Sequence, residues 1–153
     1  MSKKKLSGWI TAAVCLLLII ALYFLAPVHP IDADDITYVS VMHMDNRIKL
    51  DDKETKELND ILADMTAKRC FAPANITEGE YTLTVDITSN DGPMHLIITA
   101  DITTTTDEGI PMELVYNGLA YLYSSADDLI WYRIDNADQL YADIEAALDL
   151  YTN

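Results

Sequence analysis

The sequence predicts an α+β protein: one N-terminal transmembrane helix, then a small domain with an antiparallel meander of about five to six strands and two helices, in the order β-α-β-β-β-β-β-α. Three observations carry this. The stretch from Leu6 to Ile31 holds no Asp, Glu, Lys or Arg. Several later runs alternate apolar with polar residues and are separated by short turn clusters, the pattern of half-buried strands. Two further segments repeat apolar residues at helical spacing, one before and one after those runs.

The N-terminal part divides by charge. Residues 1–8 form a basic tip with Lys3, Lys4 and Lys5, and residues 9–26 (WITAAVCLLLIIALYFLA) are uncharged. As a helix these residues reach about 27 Å at about 1.5 Å per residue, close to a bilayer's hydrocarbon thickness. Trp9 and Tyr23 lie near the two ends, where aromatic rings favour the interface, and Pro27 and Pro30 follow. The expectation is a signal-anchor helix in the lipid bilayer. A cleaved signal peptide is the main alternative, but Ala26 at the cleavage position would put bulky Phe24 three residues back. A lipoprotein signal on Cys15 fits poorly because most of the apolar run follows that cysteine. The lysines favour a cytoplasmic N-terminus and an extracytoplasmic C-terminal domain. Residues 27–35 read as a juxtamembrane linker and 36–153 as the extracytoplasmic domain.

Charge narrows the partners. Of ten Lys and Arg, three precede the apolar run; the remaining seven face 25 Asp and Glu, a formal charge of −18 beyond residue 26. Such a surface repels nucleic acid, which is excluded as a partner. Cys70 is the only cysteine beyond the apolar run, so no intramolecular disulfide forms there, and it reads as a small core residue.

In the domain, Ile36–Met44 is rich in β-branched residues and reads as a strand. Asp51 and Glu54 have capping-box spacing, and Leu58, Ile61, Leu62 and Met65 make one apolar face of a helix over about 52–67. Lys68 and Arg69 suit the negative end of that helix. Tyr81, Leu83, Val85 and Ile87 alternate with Thr82, Thr84, Asp86 and Thr88, and after the turn cluster 89–93 the row Met94, Leu96, Ile98, Ala100 and Ile102 continues as the hairpin partner. A turn is expected at Asp107-Glu108-Gly109. Asn117-Gly118 is the strongest hairpin signal, since a type I′ turn requires positive φ at both central residues. Leu129–Ile134 is the last strand. Asn136 and Gln139 have capping-box spacing before a closing helix with Leu140, Ile144, Ala147, Leu148 and Tyr151 on its apolar stripe. Helices at both ends of the strand run cover one sheet face. The other is polar, with Thr82, Thr84, Asp86, Thr88, His95, Thr99, Asp101 and Thr103.

Motifs for chemistry are sparse. No nucleophile elbow, phosphate loop, paired-cysteine site or zinc-protease helix occurs, so no catalytic, cofactor-binding or metal residues are assigned. Asp86, His95 and Asp101 share the polar face and are the only residues on which a small cell-envelope hydrolase could be built. Asp32, Asp34 and Asp35 begin like a calcium loop but lack its glycine and its final glutamate, which leaves a divalent-cation-dependent regulatory or adhesive domain as a third reading. Asn75-Ile76-Thr77 matches a glycosylation sequon. The aromatic set Tyr116, Tyr121, Tyr123, Trp131 and Tyr132 is a candidate patch for an envelope protein or a glycan. The leading expectation is a non-enzymatic, membrane-anchored interaction or sensory module.

Overall fold

The computed structural model describes residues 3–43, 46–73, 83–105, 111–125 and 127–150, with side chains over 9–43, 46–73, 83–99, 119–125 and 131–150. The α+β class holds, with three α-helices and one eight-stranded antiparallel sheet. Helix α1 (Lys3–Leu25) leads into β1 (Pro27–Val28) and a 3-10 turn at Ala33–Asp35. Strands β2 (Ile36–His43) and β3 (Asn46–Ile48) precede α2 (Asp52–Asp64) and β4 (Ala67–Cys70). The meander β5 (Leu83–Ser89), β6 (Gly92–Thr105), β7 (Pro111–Ser124) and β8 (Asp127–Ile134) then runs to α3 (Ala137–Leu148). The strand order is β1-β4-β8-β7-β6-β5-β2-β3.

Two parts of the expected fold are corrected. The sheet has eight strands, because β1, β3 and β4 join it at and near its edges. They contain two, three and four residues, too few for periodicity to reveal, and exist only as partners of longer strands. The second correction concerns the transmembrane helix: among the described residues no helix is long and apolar enough to cross a membrane. Helix α1 begins among the lysines and ends at Leu25, and Ala26 has already left it.

Alternation sorts the sheet into two faces. Val39, Val41, Leu83, Val85, Ile87, Leu96, Ile98, Ala120, Leu122 and Ile134 are buried on the inner face. Leu58 and Leu62 of α2 and Leu140, Ile144 and Leu148 of α3 join them in a single cluster. Each such side chain withdrawn from water contributes about 1.5–3 kcal/mol before chain entropy is counted. His43, at the end of β2, also faces inward and is buried. Burial there lowers its pKa below the usual value.

The turns explain the remaining differences. The 89–93 cluster closes as a tight turn at Asn90 and Asp91, with Ser89 opposite Gly92. Gly92 has φ +122°, which only glycine adopts without strain. The amide and side chain of Asn90 donate to the backbone oxygen and Oδ1 of Asp35, tying this turn to the 3-10 segment. Asn117-Gly118 is not a hairpin turn but lies within β7. Ile98 faces Ala120 while Ala100 faces Tyr116, so two steps along β6 correspond to four along β7. The surplus residues form a bulge, the other backbone device that tolerates Asn and Gly. The hairpin turn expected at 107–109 lies outside the described residues, as do Tyr81, Thr82, Tyr151 and the sequon at 75–77.

The two expected capping boxes diverge. Asp51 accepts from the amides of Lys53 and Glu54, and the Glu54 carboxylate accepts from the Asp51 amide. Asn136 makes no side-chain cap bond, and Gln139 donates to Asp143 one turn further on. Helix α2 also ends earlier than expected, and Lys68 and Arg69 belong to β4.

Asp51→Ala should therefore cost about 1 kcal/mol, read by chemical unfolding, whereas Asn136→Ala should change stability by only a few tenths. A second prediction concerns pH. Because folding lowers the pKa of His43, protonation favours the unfolded chain, and the stability held above about pH 6.5 is lost as pH falls through the folded pKa. The difference in unfolding free energy between the parent and His43→Gln should be constant above that pH and shrink steadily below it.

Candidate functional site

The outer sheet face brings six side chains into one row across six strands. Cα partners run Cys70 to Trp131, Trp131 to Tyr123, Tyr123 to His95, His95 to Asp86 and Asp86 to Ser40. The row crosses β4, β8, β7, β6, β5 and β2, so residues distant in sequence meet only because every register is in place.

The polar half of the row is a His–carboxylate contact. His95 Nδ1 lies 2.7 Å from Asp86 Oδ1, and both side chains are about one-third exposed. Asp86 and His95, which share the polar face, thus meet directly across their hairpin. Asp101 does not extend the pair into a described site: its backbone faces Val115 on β7, and its side chain lies outside the described residues. Ser40 is 5% exposed, and its Oγ has no hydrogen-bond partner. It stands on the far side of Asp86 from His95. A serine nucleophile needs its base beside it and the carboxylate behind the base. Here the carboxylate separates the two, so the row is not a hydrolase triad.

The aromatic half is a stack. The rings of Tyr123 and Trp131 lie 4.2 Å apart and 12° from parallel, and His95 lies 5.2 Å from Tyr123 at 31°. Neighbouring strands are about 4.8 Å apart, so these rings stand upright on the sheet, face against face. His95 and Trp131 flank Tyr123 from opposite sides, and both faces of Tyr123 are covered. Tyr121 meets Trp131 edge-on at 6.4 Å. Tyr132 points to the inner face and packs against the core. The side chain of Tyr116 lies outside the described residues.

The face is less polar than alternation suggests. Thr84, Asp86 and Thr99 are half-buried, and Ile97 on β6 is 1% exposed. Thr82 lies outside the described residues, as does the side chain of Thr103. Cys70 is half-buried at the end of the row. Burial pushes its thiol pKa up, and the nearby Arg133 charge and a backbone hydrogen bond from that residue only partly oppose this. A raised pKa leaves little thiolate at neutral pH.

Two other places carry less. Asp32 caps the 3-10 turn by accepting from the Asp34 amide, and Asp35 holds Asn90, so the acidic triplet has turn duties. Among the described residues no group of three or more His, Cys, Asp or Glu could hold a metal. Between α2 and α3 lies an open cleft with Ile61, Met65, Ile134 and Leu140 below and Asp60, Asp64 and Asp143 at its rim.

The contact absent from sequence reasoning lies at the end of α1. Arg69 on β4 places its guanidinium 4.5 Å from the centroid of the Tyr23 ring, and its Nη1 donates to the Tyr23 carbonyl at 3.4 Å. Phe24 meets Phe71 at 5.1 Å. Pro27 and Val28 pair with Lys68 and Ala67. Lys68 makes an ion pair with Asp135 at 2.6 Å. Arg69 does serve a helix C-terminus, as its charge suggests, but that of α1.

Stacking should be measurable as coupling. In a double-mutant cycle, Tyr123→Ala and Trp131→Ala should show an interaction energy of about 0.5–1.5 kcal/mol in unfolding experiments; additive losses would mean that the two rings do not act as a unit.

No protein-family model, curated protein or solved structure matches this chain.

Proposed function

We propose that the protein is a membrane-held, non-enzymatic interaction or sensory module whose acidic domain lies on the extracytoplasmic side. The observation that carries this reading is the surface of α1. From Trp9 to Leu25 its described side chains are exposed on every side except at half-buried Phe24. Trp9 is 70% exposed, and Leu16, Leu17, Leu18, Ile19 and Leu22 are comparably open. An amphipathic helix would cover its apolar stripe against a core. This helix has no such stripe, and an apolar surface of this kind calls for an apolar environment. A lipid bilayer in contact with residues 9–26 supplies it. The three lysines before those residues and the −18 charge after them favour the basic end on the cytoplasmic side.

The domain's chemistry favours binding over catalysis. Asp86 and His95 are paired with each other, and the only serine in their row is on the wrong side of the carboxylate. The surface best suited to a partner is the outer strip of Tyr121, Tyr123, His95 and Trp131, where aromatic edges alternate with polar groups. Tyr and Trp of this kind are enriched at the centres of protein interfaces. The fitting partner is an envelope protein with few acidic residues at the contact, since the domain repels negative surfaces.

Protease added to intact cells should remove the acidic domain, and the residue left in the membrane fraction should contain the apolar segment. A domain that stays protected until lysis would overturn the placement. Cross-linking from Tyr121 in intact cells should capture one partner reproducibly, and Tyr123→Ala should reduce that capture.

A further inference from the structure

The junction between α1 and the sheet has the composition of a membrane-interface anchor. Helix α1 ends at Leu25, and within three residues the chain has entered the sheet as β1 beside β4. No flexible tether intervenes. The end of the helix is held on β4 and the residue after it by three separate contacts: the Arg69 guanidinium over the Tyr23 ring, its hydrogen bond to the Tyr23 carbonyl, and the Phe24–Phe71 ring contact. Phe71 is the larger puzzle. It directly follows β4, touches Phe24 on one side, and is nevertheless 69% exposed. A phenylalanine so placed is neither a core residue nor a member of the outer row.

These facts agree if the edge of the sheet sits at the headgroup boundary. Aromatic rings favour that zone, and an arginine there directs its charge to the phosphates while its stem stays in apolar surroundings. Tyr23, Phe24, Phe71 and Arg69 would then form one belt. We infer that Phe71 dips into the lipid interface beside α1, so that the β1–β4 edge of the sheet lies against the bilayer and the β3 edge points away from it. The inference rests on the lipid contact proposed above for residues 9–26 and adds an orientation that this contact alone does not specify. It also fits the charge distribution: Lys68 and Arg69, two of the seven basic residues beyond the apolar run, stand on β4.

The geometry separates the two edges well. Six strand spacings lie between β4 and β3 in the sheet order, roughly 29 Å at about 4.8 Å each. A probe on β3 is therefore beyond the reach of a quencher in the lipid if the sheet stands on its β4 edge.

The test uses the full chain reconstituted in phosphatidylcholine vesicles, with and without lipids brominated near the headgroup or deep in the chains. A tryptophan is introduced as Phe71→Trp, an exposed position where the fold tolerates it, or as Arg47→Trp on exposed β3. Emission is read as the difference from the parent, which has Trp9 and Trp131. The Phe71→Trp signal should shift to the blue and lose intensity with shallow bromine more than with deep bromine. The Arg47→Trp signal should lose none. Quenching at neither site, in a chain that still floats with the vesicles, would overturn the anchor while leaving the lipid contact of α1 intact. Equal quenching at both would mean that the domain lies flat, and would also overturn it. A chain that fails to float with vesicles would instead sink the lipid contact itself, and the anchor with it. As a second readout, Arg69→Ala should loosen the junction and make the 71–73 loop more rapidly cut by added protease.

Discussion

Burial of one face of the sheet beneath α2 and α3 is the constraint on which everything else depends. Leu83, Val85, Leu96, Ile98, Leu122, Leu58, Leu62, Ile144 and Leu148 are all completely buried in that layer. Strand residues alternate between faces, so a slip of one residue in any pairing would turn a whole apolar row toward the other side. The register of each strand is therefore fixed by the core. The outer row follows as a consequence: once Leu96 faces Val85 and Leu122, His95 must face Asp86 and Tyr123. The packing that stabilises the domain also assembles the Asp86–His95 contact and the aromatic stack.

The outer face is in turn more ordered than a solvated sheet surface requires. Tyr123 is held between His95 and Trp131, and Asp86 between His95 and Ser40. Contacts along the row restrict the rotamers of its members. The same rigidity works against catalysis of the serine-hydrolase kind, because the order of groups along the row is set by strand order and cannot be rearranged by local motion. At the edge of the sheet, β4 links this row to the helix: Cys70 continues the row beside Trp131, while Arg69, its neighbour in sequence, turns to the opposite face and grips the end of α1. The apolar helix and the outer row are thus connected by four residues of one strand.

Local signals were legible where the chemistry is local. The Asp51–Glu54 box forms because each partner lies within one turn of the other and nothing else competes. The same spacing at Asn136 and Gln139 fails, since Gln139 finds Asp143 instead. Asn117-Gly118 has turn character because both residues accept unusual backbone angles. The sheet uses that tolerance for a bulge in a 14-residue strand, a choice that depends on how β6 and β7 align over their whole length. Lys68 and Arg69 look like residues at a helix end, and only the sheet converts them to a strand.

By itself the sequence determined the charge division, the α+β class, the main strands of the meander and the two domain helices, because composition, alternation and helical spacing are properties of neighbouring residues. It also put Asp86 and His95 on one face of adjacent strands, since alternation is a property of neighbouring residues. The tertiary structure alone decided the eight-strand order, the short edge strands, the split of the aromatic set between the two faces and the hold of Arg69 on α1. Those features join residues tens of positions apart, and their geometry exists only after the core has fixed every register at once.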